Sequence, residues 1–201
     1  MHIWVTFLTM LQEANNASAL TLQCWSLCHV VNLQKREVTS AKVAFGGGCH
    51  WCTEAIFASL KDVSKVEQGW VSSTLPSANT PSEAVIVHFD ASCISLDILT
   101  EIHLFTHNAT SNHTFRQKYR SAIYTFSKPQ QMEAQRILEE KQKLFKKPLI
   151  TKVYPFGAFR LNDEQYLDYY KSNPEKPFCQ VRIEPKLRVL LEKFSVYTKP
   201  L

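Results

Sequence analysis

The chain's first regular pattern is the short run over residues 42–45, three of whose four positions are apolar and which three glycines cut off; it reads as a buried strand running into a tight turn. Over 49–60 the spacing turns helical, with Cys52, Ile56 and Leu60 on one stripe. Residues 63–71 are strand-like, 72–82 form a loop rich in Ser, Thr, Pro and Asn, and 83–89 alternate in part with Val and Ile as a second strand of a pair. A helix is predicted over 95–104, with Ser95 as N-cap ahead of Leu96, Leu99, Ile102 and His103. A polar loop over 107–118 leads to a strand over 120–126. A charged amphipathic helix over 129–145, opened by Ser127 and Pro129, precedes one more strand over 149–154. Residues 155–201 read as irregular and aromatic, apart from short helices near 164–171 and 185–194.

The order β-α-β-β-α-β from residue 42 predicts an α/β (α+β) protein of the ferredoxin-like kind. That is a two-layer sandwich with helices over one face of a mainly antiparallel sheet, followed by an irregular C-terminal segment. Residues 1–40 differ in texture: 1–11 are apolar, 12–18 polar, and 20–31 apolar again, holding Cys24 and Cys28. One reading is a targeting peptide, against which stand the lack of Lys and Arg at its start and the breaks at Thr6 and Thr9; the other is an over-extended or poorly ordered start. The expected organisation is an extension over 1–40 and one catalytic domain over 41–201.

Composition narrows the classes. At 201 residues, 45% hydrophobic and 20% charged, the chain can bury one ordinary core. The net charge of +5, from 23 basic and 18 acidic residues, is spread without a basic block, so no nucleic-acid footprint is expected. No apolar run approaches the roughly 20 residues of a membrane span. Six cysteines, at 24, 28, 49, 52, 93 and 179, are too sparse and too uneven for a disulfide-stapled scaffold and point to chemistry instead. The sequons at Asn16, Asn108 and Asn112 are read as chance matches.

That chemistry concentrates in the run Gly46-Gly47-Gly48-Cys49-His50-Trp51-Cys52. A thiol attacks as its thiolate, and a helix N-terminus favours the thiolate through unpaired N–H groups and the positive dipole end. Cys49 stands where the predicted strand, turn and helix meet. Three alternatives use the same residues: a small core cysteine, a dithiol oxidoreductase using Cys49 and Cys52, and a zinc-binding structural module. The last would join Cys24-x3-Cys28 to Cys49-x2-Cys52 across 20 residues. Trp51 inside the second pair and the hydrophobic strand before it speak against zinc.

Four motifs resemble, in order and spacing, peptide methionine sulfoxide reductase of the A type: Gly-Gly-Gly-Cys-His-Trp-Cys-Thr-Glu at 46–54, Ser-Glu-Ala-Val at 82–85, Tyr-Arg-Ser-Ala-Ile-Tyr at 119–124 and Asn-Pro-x-x-x-Phe-Cys at 173–179. The resemblance spans about residues 41–187. It implies reduction of the S epimer of methionine sulfoxide, free or in proteins, with Cys49 attacking the sulfoxide sulfur and becoming a sulfenic acid. It implies Glu83 as the group that protonates the sulfoxide oxygen, Tyr119 as a second donor to it, and His50 and Trp51 as the substrate wall where the family usually has Phe-Trp. It further implies Cys179 as the resolving thiol, with Cys52, one helical turn from Cys49, as the alternative. Thioredoxin or a similar dithiol would reduce the resulting disulfide. The enzyme implied is a monomer needing no cofactor or metal, in the cytoplasm because its thiols must cycle through the reduced state.

The chain departs from the family's pattern in several places. The loop before Tyr119 is short and lacks the family's aspartate, leaving Asn112, His113 and Thr114 in its neighbourhood; His113 is the available polar substitute. The loop between Trp70 and Glu83 is also short and lacks the usual tyrosine. No second recycling cysteine follows Cys179. The pattern is that of a compact subgroup carrying Gly-Cys-His-Trp-Cys.

Overall fold

The computed structural model describes residues 39–200. Readings placed on residues 1–38, among them Cys24, Cys28 and the sequon at Asn16, lie outside the described residues. Strand β1 (Ser40–Gly46) pairs antiparallel with β3 (Ser82–Asp90), Phe45 facing Val85 and Gly46 facing Ala84. On its other side β3 pairs antiparallel with β2 (Val63–Ser73), which sets Trp70 opposite Glu83. Strand β4 (Ala122–Thr125) lies antiparallel along the far side of β1.

The fifth strand overturns the predicted architecture. β5 (Lys152–Leu161) pairs parallel with β4 over 152–155 and then antiparallel with β2 over 156–161, so the sheet closes into a barrel of order β1-β3-β2-β5-β4. The ferredoxin-like two-layer sandwich is therefore incorrect: both strands that would have been its edges are taken up by β5. The handover falls at Pro155, which faces Thr125 of β4, while the next residue, Phe156, faces Ser73 of β2. Proline has no N–H to give a ladder and is tolerated where pairing changes hands. Two residues on, Gly157 brings its backbone so close to β2 that an added Cβ would lie 2.8 Å from the Ser72 carbonyl oxygen. Proline and glycine interrupt the period-2 pattern, which is why this stretch reads as irregular in sequence. Closure also removes the exposed edges an open sheet would have to protect.

Helices α1 (His50–Ala58), α2 (Leu96–Thr106), α3 (Lys128–Lys141), α4 (Tyr169–Ser172) and α5 (Glu184–Phe194) accompany the barrel. The Ser95 hydroxyl accepts the Ile98 N–H and the Ser127 hydroxyl accepts the Gln130 N–H, each at 3.3 Å, as their places at the helix starts predict. Alternate strand positions serve two cores. Val43, Phe45, Val85, Val87 and Ile123 pack against Ile56 and Phe57 of α1, Leu99 and Ile102 of α2 and Ile137 of α3. Ala44, Ala84 and Ala122 turn the other way, with Val71, Ile86 and Tyr124, into a second cluster. Small side chains on that face suit the interior of a five-strand barrel, in which Tyr124 is the one fully buried ring of the cluster. Strands apolar on both faces are the sign that neither face meets water.

Candidate active site

Two of the three glycines at the turn from β1 into α1, Gly46 and Gly47, hold their place by close approach, while a Cβ on Gly48 would meet nothing; no glycine among the described residues has positive φ. A Cβ on Gly46 would lie 2.8 Å from the Arg120 carbonyl oxygen, and one on Gly47 would lie 2.5 Å from the His107 ring. His103 Nε2 bonds the Gly46 carbonyl at 3.0 Å, and Arg116 donates to the carbonyls of Gly47 at 3.2 Å and Tyr119 at 3.0 Å. One guanidinium thus ties the polar loop to the glycine turn, which brings Lys118 and Tyr119 beside the start of α1.

His103 and His107 stack at 4.0 Å between ring centroids, His107 Nε2 reaching the Ser121 hydroxyl at 2.8 Å. Burial first, and the neighbouring charges second, push both below the usual histidine range, His107 to about 3. An unfolded histidine titrates near 6.5. Below that pH the unfolded chain binds protons the folded chain refuses, so stability is full above about pH 6.5 and falls as the pH drops below it, for His107 down to about 3. Thermal unfolding followed from pH 7 to pH 4.5 is expected to show a shallower loss for His103→Gln than for the unmodified protein. Equal slopes would mean that His103 is not held neutral.

Cys49 is the N-cap residue of α1, and its carbonyl accepts the Cys52 and Thr53 N–H groups at 3.1 and 3.2 Å. Its thiol does not behave as the helix start alone predicts. A hydrogen bond with the Cys52 thiol, with burial added, holds Cys49 well above the ordinary thiol range against the opposing pull of the Trp51 N–H. The same bond lowers Cys52, with help from the charges of Lys186 and Arg182. The two thiols titrate as a pair that gives up one proton readily and resists losing the second. Cys179 is fully buried in the same apolar cluster as Cys52, Ala55 and Ile183, its thiol donating to the Asn173 carbonyl at 3.5 Å.

Glu83 enters from the start of β3, only 4% exposed. Its Oε2 accepts the His50 backbone N–H at 3.1 Å, the first free N–H of α1, and its Oε1 meets Lys118 Nζ at 3.2 Å. The Lys118 backbone is itself pinned to the strand start, its carbonyl accepting the Glu83 N–H at 2.8 Å and the Ser82 hydroxyl at 3.0 Å. Lys118 is raised above the usual lysine range, first by its hydrogen bond to Tyr119 and then by Glu83. Trp51 stacks on Tyr169 at 4.0 Å and meets Phe178 edge-on at 5.4 Å.

Cys49, His50, Trp51, Glu83 and Tyr119 therefore line one cleft of about 330 Å³, together with Trp70, Lys118, Asn162, Tyr166 and Phe178. Cys52 and Cys179 lie beside it in their own cluster, and His113 is not among its lining residues. A cleft that sets a thiol, a buried carboxyl, a phenol and an ammonium around an aromatic wall can bind a small apolar group bearing one oxygen, attack it and supply a proton. Lys118, Asn162 and Lys186 were missed from sequence. Lys118 adjoins a motif tyrosine, which is a usable signal; Asn162 and Lys186 carry none, since only β5 and α5 bring them near.

Comparison with known proteins bears on this cleft. The model of the family described as peptide methionine sulfoxide reductase matches residues 41–197. A peptide methionine sulfoxide reductase MsrA of Deinococcus radiodurans is 33% identical over 168 residues, covering 75% of this chain and 81% of that protein. The solved methionine sulfoxide reductase A of Corynebacterium diphtheriae shares the fold, with a TM-score of 0.59 at 21% identity over 71% of this chain and 78% of that one. So does Mxr1 of Saccharomyces cerevisiae solved in complex with Trx2, with a TM-score of 0.52 at 20% identity over 63% of this chain and 83% of that one.

Proposed function

The chain belongs to the peptide methionine sulfoxide reductase family and is an enzyme of methionine sulfoxide reduction; from that premise we propose that it reduces the S epimer, in proteins and as the free amino acid, with Cys49 as nucleophile. The observation that carries the assignment is the convergence of Cys49, Glu83, Tyr119 and Trp51 on one cleft from three separate stretches of sequence.

In the proposed step Cys49 attacks the sulfoxide sulfur, passing its proton to the Cys52 thiolate that its hydrogen bond stabilises, while Glu83 gives a proton to the oxygen, with Tyr119 donating a hydrogen bond to it. The oxygen passes to Cys49 as a sulfenic acid, the cysteine sulfur losing two electrons and methionine sulfur gaining them. Protonation matters because an unprotonated oxide is a poor leaving group. Trp51, stacked on Tyr169 and met edge-on by Phe178, forms the wall for the methyl group, with His50 beside it. Residues 41–201 carry this apparatus as one catalytic domain, working in a reducing compartment such as the cytoplasm.

The sulfenic acid then condenses with a second thiol, forming a disulfide and releasing water, and a dithiol donor returns both thiols. Cys179 serves as resolving thiol. A second reading has Cys52 bond to Cys49 first, with Cys179 exchanging onto it, and the hydrogen bond between the Cys49 and Cys52 thiols favours it. The yeast neighbour solved with Trx2 supports thioredoxin as the donor.

Methionine release from each sulfoxide epimer tests the assignment: turnover with dithiothreitol is expected for the S epimer alone. With thioredoxin as reductant, Cys179→Ser is expected to lose multiple turnover by roughly tenfold or more while keeping the first turnover, since thiol exchange needs an accessible partner. If Cys52→Ser alone does this, Cys52 is the resolver. If neither does, the disulfide route is wrong.

A further inference from the structure

His50 is 6% exposed and its ring connects the cleft to a chain of buried polar groups that the proposed reaction leaves unused. The chain is legible from its far end. The Gln68 side-chain nitrogen donates to the Tyr166 carbonyl and to Glu54 Oε2, each at 2.9 Å. A backbone carbonyl can only accept, so the orientation of the Gln68 amide is settled and its oxygen faces the other way. That oxygen accepts the Asn162 side-chain nitrogen at 2.7 Å. The same Asn162 nitrogen lies 3.2 Å from His50 Nε2. An amide nitrogen is only a donor, so Nε2 is the accepting nitrogen and the ring proton resides on Nδ1.

Nδ1 is buried without a hydrogen-bond partner of its own and lies 3.5 Å from Glu83 Oε2, the oxygen that already accepts the His50 backbone N–H. Glu54, which anchors the chain, is 6% exposed and also accepts the backbone N–H groups of Asp168 and Tyr169 at 3.2 and 3.4 Å, tying the segment ahead of α4 to the same network. We propose that His50 is a positioning residue for Glu83, its tautomer fixed by Glu54, Gln68 and Asn162 so that Nδ1–H is directed at the carboxylate. The proposal rests on the reading of Glu83 as proton donor. It gives His50 a task beyond forming part of the substrate wall.

The groups facing Glu83 are few. Lys118 approaches from the loop before β4, with Tyr119 beside it; the backbone and ring of His50 approach from α1, as do the Cys49 and Cys52 thiols, whose charge Glu83 opposes. Trp70 of β2 separates the site from Arg160, whose guanidinium lies 5.8 Å from the indole. The Gly69 carbonyl also draws on the His50 ring N–H and competes with Glu83 for it. A donor aimed at a carboxylate favours its charged form, and removing that donor lets the proton stay on to higher pH.

The test is the pH profile of a single turnover with the S epimer, measured with His50→Phe, Asn162→Leu and His50→Asn. The descending limb, where Glu83 loses its proton, is expected to move up by about one pH unit in His50→Phe and in the same direction in Asn162→Leu. His50→Asn restores an N–H close to the Nδ1 position and is expected to bring the limb back towards that of the unmodified protein. A limb that stays put in both His50→Phe and Asn162→Leu, with only KM altered, would reduce His50 to a substrate wall and overturn the proposal. Glu83→Gln serves as the separate control: if it keeps the limb and the rate, the proton-donor reading itself fails, independently of His50.

Discussion

Cys49→Ser is expected to abolish sulfoxide reduction while leaving the fold intact, lowering kcat/KM by at least about 10⁴-fold, the scale on which loss of a covalent nucleophile acts. A serine hydroxyl at the start of α1 would still receive the backbone N–H groups there, but it ionises far too weakly to attack sulfur and could not store the oxygen as a sulfenic acid. Cys49→Ala, which carries no donor, also removes the partner of Cys52. The Cys52 thiol then loses the hydrogen bond that lowers it, so alkylation of Cys52 in Cys49→Ala is expected to shift to higher pH. Methionine release and thiol trapping read the two effects separately. Retained turnover in Cys49→Ser would place the nucleophile elsewhere.

Glu83→Gln is expected to slow the chemical step by roughly 10²-fold or more with KM changed little, because the amide keeps the shape and can still receive the His50 N–H but has no carboxyl proton to transfer. The substitution leaves Lys118 without its carboxylate, which costs little stability because that side chain is half in solvent at 51% exposed. A thermal midpoint close to that of the unmodified protein, alongside a slow single turnover, would locate the defect in proton transfer. An unaffected rate would remove Glu83 from that role.

These two residues differ in how they were found. Cys49 stands out in the sequence because a glycine run, a cysteine and a helical stripe coincide within a dozen residues. Glu83, taken alone, is a carboxylate at a strand start, a position usually solvated; only its neighbours in a motif raise it. Burial and the opposing Trp70 across the β2–β3 pair are properties of strand pairing.

Local pattern was sufficient wherever one segment determines its own structure. Strand β1, the caps Ser95 and Ser127 and the helices they open follow from short-range spacing, since helix periodicity and capping are settled within about a turn. The architecture was not available in that way. Closure of the barrel depends on β5 reaching two strands far from it in sequence, through Pro155 and Gly157, which look like breakers when read in isolation. The expected ferredoxin-like sandwich failed there, and the doubly apolar character of β1 and β3 was the overlooked clue.

The site divides along the same line. Sequence by itself determined the reactive chemistry, a thiol at a helix start within a set of motifs specific to one family. Tertiary structure alone decided what surrounds that thiol: the Lys118 ammonium on Glu83 and the chain from Glu54 through Gln68 and Asn162 to His50. Those contacts join residues up to 112 positions apart. Their direction is set by which groups can only donate and which can only accept once the barrel has brought them together, and no local spacing records it.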